Sequence, residues 1–224
     1  VLELVGVRKT FAVGAAGRSL LPKVDLLLRH GERVGLIGAN GAGKSVLLKI
    51  IVGQMQPDAG EVKIGPSVKM GYYAQEHETL DFNQTLIDAV RRAHPLNENA
   101  AVAFLRRYLF TYEQSMRKIG SLSGGERSRL QLALLVLSGV NFLLLDEPTN
   151  NIDIASAEVL EAALDEFEGT VLVISHDRYF LDRTVSRIVE LDAKRGVLAE
   201  YAGGYSDYAE KKTPTPTSPP SRIA

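Results

Sequence analysis

Short apolar runs alternate with amphipathic stretches along most of the chain. The runs at 33–37, 142–145 and 170–174 are largely apolar, as expected for strands buried on both faces of a sheet. Helical spacing of apolar residues follows at 46–52, 154–167 and 178–185. This alternation predicts an α/β fold with a mainly parallel sheet and helices on both of its faces.

Two regions depart from this alternation. The first 33 residues show the two-residue period of β-strands. From residue 85 to 112 the spacing becomes helical, with a break at Pro95 and Asn97. We therefore predict strands at the N-terminus and a small helical subdomain over about residues 76–140. The longest helix of that subdomain is predicted to begin near Arg127.

Composition narrows the class of protein. The chain has 224 residues, of which 45% are hydrophobic, and it contains no cysteine, which excludes disulfides and thiolate metal sites. A net charge of −1 is not that of a general polyanion binder. No apolar run approaches the ~20 residues of a membrane span, so we expect a cytoplasmic protein without direct membrane insertion.

The first residue and the C-terminal stretch of the sequence lead to two further predictions. The stretch 211–224 holds four of the nine prolines and is predicted to be disordered, which leaves 1–210 as one domain. The chain begins with Val1 and not with Met, so we expect it to be part of a longer protein.

A glycine-rich loop lies between a predicted strand and a predicted helix. Its glycines allow the backbone to wrap phosphate oxygens, and the following helix adds a favourable dipole. Lysine at the end of such a loop reaches the β- and γ-phosphates, and the next hydroxyl binds Mg²⁺. The loop residues are Gly38, Ala39, Asn40, Gly41, Ala42, Gly43, Lys44 and Ser45.

Polar residues follow two other apolar strands. Asp146 and Glu147 come directly after the run 142–145, and His176 follows 170–174. Because ligands bind at the carboxyl ends of strands in open α/β sheets, we assign Asp146 to Mg²⁺ and Glu147 to the general base. His176 is assigned to the γ-phosphate and the attacking water, although a single histidine can also be purely structural.

One short motif and two single residues have two interpretations each. Ser123, Gly124 and Gly125 precede a helix, where they can bind an anion or serve as an ordinary helix cap. Gln75 can bind Mg²⁺ or water, but alone it carries no information. Phe11 can stack on adenine or belong to the core.

In this order the motifs resemble the nucleotide-binding domain of ABC ATPases, over about residues 1–210. The resemblance implies a P-loop NTPase core with an N-terminal antiparallel β subdomain and a small helical subdomain. It assigns Phe11 to adenine, residues 38–45 to Walker A, Gln75 to the Q-loop, 122–126 to the signature, Asp146 and Glu147 to Walker B, 150–153 to the D-loop and His176 to the switch.

Finer features resemble the ABC-F subfamily, whose members are soluble, carry two such domains and act on ribosomes. These features are the runs 146–154, 175–182 and 203–208. The short segment between Gln75 and Leu122 favours the C-terminal domain of such a protein. Val46 departs from the usual threonine, which removes a hydroxyl near the α-phosphate and predicts weaker nucleotide contacts there.

The resemblance implies that Ser123, Gly124 and Gly125 contact ATP held by a second ABC domain, in the same full-length chain or in a homodimer. Three hypotheses remain open at this point. The first is an ATPase of the ABC-F type coupled to the ribosome and its RNA, as a translation or antibiotic-protection factor. The others are the ATPase subunit of a membrane transporter and a binding module that does not hydrolyse ATP.

Overall fold

A six-stranded sheet forms the centre of the protein. The computed structural model describes residues 1–11, 18–73, 80–150, 152–192 and 197–212. In spatial order the strands are β5 (Met70–Tyr73), β6 (Phe142–Asp146), β7 (Thr170–Ile174), β3 (Arg33–Ile37), β8 (Arg187–Asp192) and β9 (Val197–Ala202). Every pairing is parallel except that of β8 with β9. The predicted mainly parallel sheet is therefore confirmed.

A second, three-stranded sheet is antiparallel. It contains β1 (Leu2–Phe11) between β2 (Arg18–Leu28) and β4 (Ala59–Ile64). The turn at 65–67 thus joins β4 to a strand of the other sheet, β5. The expected antiparallel β subdomain is confirmed, and it takes one of its strands from after the P-loop.

Helices cover the central sheet. They are α1 (Lys44–Ile51), α2 (Leu86–Ala93), α3 (Glu98–Arg107), α4 (Tyr112–Ser115), α5 (Gly124–Leu137), α6 (Ile154–Asp165), α7 (Arg178–Thr184) and α8 (Tyr205–Lys212), with a 3₁₀ turn at Ile119–Ser121. The predicted start of α5 near Arg127 was wrong. The helix begins at Gly124, because the Ser123 side chain accepts from the Glu126 amide while Glu126 accepts from the Ser123 amide. Helix α8 continues two residues into the predicted tail, and residues 213–224 lie outside the described ranges.

Both faces of the central sheet are buried. Along β6, Leu143 and Leu145 pack against the helical subdomain, whereas Phe142 and Leu144 pack against α1 and the antiparallel sheet. This explains why the strand is apolar throughout and does not alternate. Within the described ranges, no helix has the length and apolar character needed to cross a membrane.

Candidate active site

The P-loop connects β3 to α1, and its own fold demands two of its glycines. Gly38 has φ 154°, and a Cβ atom there would lie 2.7 Å from the Leu191 carbonyl oxygen. Gly43 has φ 102° and lies against Leu20 and Leu21. A side chain at either position would strain the backbone or force a neighbour to move. The loop thus brings its backbone close to β8 and to the antiparallel sheet.

Lys44 lies inside the loop and not on the surface. Its Nζ atom donates to the carbonyl oxygens of Gly38 at 2.8 Å and Ala39 at 3.3 Å, and only 7% of the residue is exposed. Burial lowers the pKa of Lys44, while Glu147 and Asp146 oppose that shift. The site therefore holds a buried cation beside two carboxylates, where phosphate oxygens can replace the carbonyl partners.

Ser45 and Asp146 meet at the end of β6. The Ser45 hydroxyl donates to Asp146 Oδ1 at 3.3 Å, and Asp146 is 4% exposed. Burial raises the pKa of Asp146, against the hydrogen bond from Ser45, the attraction of Lys44 and the hydrogen bond from Tyr72. The described residues contain no group of three or more metal-binding side chains. A hydroxyl and one carboxylate fit Mg²⁺, which binds through few protein ligands together with waters and phosphates.

Glu147 and His176 form the second contact of the site. The backbone amide of His176 donates to Glu147 Oε2 at 3.2 Å, and His176 Nε2 lies 3.3 Å from Glu147 Oε1. Glu147 has φ 50°, a strained conformation for a residue with a side chain. Such strain is typical of active sites, where the surrounding structure holds a side chain in a defined direction.

These residues converge because their strands are neighbours. Strands β6, β7 and β3 are adjacent in the sheet, and each ends at the same edge. The sequence model of the family described as "ABC transporter" matches residues 21–150, which include the P-loop and Walker B. The chain belongs to the ABC transporter ATPase family.

Similar proteins support this membership. A Bacillus subtilis protein named YdiF is 44% identical over 87% of this chain and 30% of its own length. The energy-dependent translational throttle protein EttA of Escherichia coli K12 is 39% identical over 96% and 39%. ABC transporter F family member 5 of Arabidopsis thaliana is 39% identical over 91% and 30%. This ABC domain thus spans about a third of the length of these relatives, and their names are consistent with the ABC-F resemblance.

Solved structures show the same fold. The dimeric post-hydrolysis structure of the ATP-binding cassette MJ0796, bound to ADP and Pi, superposes with a TM-score of 0.75. It is 24% identical and covers 90% of this chain and 98% of its own. At that identity the likeness concerns the fold.

The signature residues of this ABC domain lie at the start of α5. Ser123 caps α5, and Glu126 is held there by Gln114 at 2.8 Å. Gly124 is exposed, and a Cβ atom on it would meet nothing within 4 Å. Both interpretations of this motif therefore stay compatible with the structure: the serine is a cap, and the glycine faces open space.

The other predicted site residues differ in their burial, and two of them lie outside the described residues. Phe11 ends β1, half-buried, with Lys9 Nζ 5.9 Å from its ring centre. Val46 is half-buried and packs against the core beneath α1. Asn40, Gly41 and Ala39 are exposed, whereas Ala42 is buried. Gln75 and Asn151 lie outside the described residues.

One contributor to the site escaped the sequence analysis. Tyr72 donates a hydrogen bond to Asp146, which favours the ionised carboxylate. The register of β5 and β6 places Tyr72 opposite Leu144, two residues before Asp146. Tyr72 is half-buried on β5, and the available signal was that a partly buried phenol needs a polar partner.

Proposed function

We propose that this ABC domain binds ATP and Mg²⁺ at the P-loop and hydrolyses ATP when a second ABC domain closes over the nucleotide. The observation that carries the proposal is the convergence of Lys44, the Ser45–Asp146 pair and the Glu147–His176 pair at one edge of the sheet. ATP hydrolysis needs a phosphate-binding cation, a metal site and a group that activates water. All three lie on adjacent strand ends.

Each side chain has a defined task in this proposal. Lys44 and the loop amides, from Gly38 to Ser45, hold the phosphates. Ser45 and Asp146 would hold Mg²⁺, which when bound would supply charge neutralisation to the phosphates. Glu147 accepts a proton as water attacks the γ-phosphorus, the bond from that phosphorus to the bridging oxygen breaks, and ADP leaves. His176, fixed against Glu147, orients the water and the γ-phosphate.

The signature supports pairing with a second ABC domain. Ser123 and the amides of Gly124 and Gly125 are presented at an exposed helix start, where they can contact the γ-phosphate on a partner. MJ0796, which shares the fold, is described as dimeric. We take 1–210 as the ABC domain and about 76–140 as its helical subdomain.

Concentration dependence of phosphate release tests this pairing. We expect a verified monomer to bind ATP and hydrolyse it slowly, with turnover per domain that rises as domains associate. Brisk turnover by a monomer would contradict the partner-supplied signature. An intact two-domain protein that binds ATP and releases no phosphate would instead support a non-hydrolysing module.

For the full-length protein we propose coupling to the ribosome, in the cytoplasm. The relative EttA is named as a translational throttle protein, and the ABC-F motifs agree with it. The alternative, a transporter ATPase subunit, is favoured by the relative of Bacillus subtilis named as an ABC transporter ATP-binding protein, YfmR.

Co-sedimentation separates these two candidates. The full-length protein carrying Glu147→Gln should pellet with ribosomes in ATP and not in ADP. The same protein with Lys44→Ala added serves as the control that cannot hold the nucleotide. Association with membrane fractions alone would support the transporter subunit.

A further inference from the structure

A cavity of about 250 Å³ opens beside the P-loop. Its walls include Gly38 and Ala39 of the loop, His176, and residues from α7 and α8: Arg178, Tyr205 and Tyr208. The first two loop residues and His176 belong to the proposed phosphate site. The cavity is therefore continuous with the place where the end of the triphosphate would lie.

Arg178 brings a cation to this cavity. Its guanidinium carbon lies 5.3 Å from the centre of the Tyr205 ring, in the range of a cation–π contact. Arg178 is exposed, and in the described ranges the structure pairs it with no carboxylate. Arg183, on the same helix, differs: it stacks on Tyr179 but also forms an ion pair with Glu161 at 3.4 Å.

Helix α8 is fixed in place by polar contacts. Asp182 of α7 accepts from the Ser206 amide at 2.7 Å and from its hydroxyl at 2.6 Å. These bonds hold the start of α8, and with it Tyr205, against α7. The ring beneath the Arg178 guanidinium is therefore anchored by the same helix that carries Arg178.

Among the described residues of the cavity wall, the one acidic side chain is Glu190, and it is already engaged. Glu190 accepts from the Tyr208 hydroxyl at 3.1 Å and pairs with Lys212. Its charge is therefore balanced by α8, which leaves the positive charge of Arg178 available to an anion. A guanidinium suits phosphate because its planar donors match two phosphate oxygens at once.

We propose that Arg178 is a further nucleotide-contacting residue that binds the γ-phosphate of ATP, and that Tyr205 is the positioning residue that holds its guanidinium. The inference rests on the proposed binding of ATP at the P-loop. The inference assigns a function to residues in the runs 175–182 and 203–208, most of which take no part in the proposed hydrolysis. Because ADP lacks the γ-phosphate, Arg178 should add to the affinity for ATP alone.

Calorimetric titration with Mg–ATP and Mg–ADP tests this selectivity. All proteins carry Glu147→Gln, so that ATP stays intact during the titration. Arg178→Ala should weaken ATP binding roughly tenfold, as for a lost charged hydrogen bond, and leave ADP within about twofold. Tyr205→Leu should weaken ATP by a smaller factor, and Tyr205→Phe should restore it because the ring remains.

Arg183→Ala is the matched control, since it removes an arginine stacked on a tyrosine of the same helix, outside the cavity wall. It should leave both affinities unchanged. Equal loss for both nucleotides in Arg178→Ala, or loss for neither, would overturn the inference while ATP binding stands. If that variant does not fold, Arg178→Lys decides, with an intermediate loss expected for ATP only. A parent protein that binds neither nucleotide would overturn the proposed function and this inference with it.

Discussion

The P-loop and the signature both depend on glycine, but for different reasons. Gly38 and Gly43 have positive φ values and close neighbours, so the chain's own fold requires them. Gly124 has neither, and a Cβ atom there would meet open space. A glycine that its own fold does not require points to something that approaches from outside. The comparison suggests a site that is nearly complete on one side and an exposed surface meant for a partner on the other.

Glu147→Gln breaks the P-loop side with the largest expected effect. The amide cannot accept the proton from water, so hydrolysis should fall by about 10²- to 10⁴-fold, the range of general-base catalysis. ATP binding should persist, because Lys44 and the Ser45–Asp146 pair are untouched. Phosphate release and equilibrium ATP binding, measured on the paired domains, check both halves of this expectation.

Glu158→Gln is the control for that variant. Glu158 is exposed on α6, so its substitution makes the same change of charge outside the site. If Glu147→Gln kept more than about a tenth of the activity, general-base catalysis by Glu147 would be excluded on the expected range.

Gly124→Ala tests the signature side. The added methyl should leave the fold intact, and the alanine should stabilise it by about 0.4–1 kcal/mol through the unfolded chain. ATP binding by the isolated domain should not change. Hydrolysis by the pair should fall by about 100-fold, as for a misplacement of about 1 Å in a closed site.

Thermal unfolding and phosphate release measure the two effects separately. Ser121→Ala, an exposed change on the preceding turn, should leave hydrolysis unchanged, and any loss of stability comes from the hydroxyl's bond to the Lys118 carbonyl. A Gly124→Ala variant with full activity in the pair would show that no ligand approaches this helix start, and the contrast between the two sides would lose its meaning.

How much of this site is visible in sequence depends on the range of the contacts. The strands β3, β6 and β7 are largely apolar runs, so their ends, and hence Lys44, Asp146 and His176, could be placed at one edge of a parallel sheet. Tyr72 acts on Asp146 only through the pairing of β5 with β6, which no local pattern encodes. The contact of Arg178 with Tyr205 likewise joins two distant motifs.

Asp146→Asn tests whether the buried charge of Asp146 serves ligand binding at a cost in stability. Burial raises the pKa of Asp146, so the folded state binds a proton more tightly than the unfolded state. Stability therefore falls as pH rises from the unfolded pKa through the folded one, and the ionised form costs free energy at neutral pH. The variant should unfold about 2–4 °C higher, which corresponds to about 1 kcal/mol.

Thermal melts of the nucleotide-free protein from about pH 4 upward measure this, and the gain should grow as pH rises through the folded pKa of Asp146. Asp165→Asn, at an exposed carboxylate 4.0 Å from Arg33, is the control for the same change of charge outside the site. A lower unfolding temperature for Asp146→Asn at neutral pH would mean that attraction to Lys44 outweighs desolvation.

Val46→Thr has the smallest expected effect. It distinguishes contacts with the α-phosphate from contacts with the γ-phosphate. The added hydroxyl should donate to the α-phosphate, which ATP and ADP share, so both should bind roughly threefold tighter, as for one net hydrogen bond. Val52→Thr, also half-buried and at the end of the same helix, is the matched control and should change neither affinity. Tighter binding of ATP alone would place the hydroxyl near the γ-phosphate, the group assigned to Arg178. Equal tightening would instead show that the added hydroxyl contacts the α-phosphate, the group that both nucleotides share.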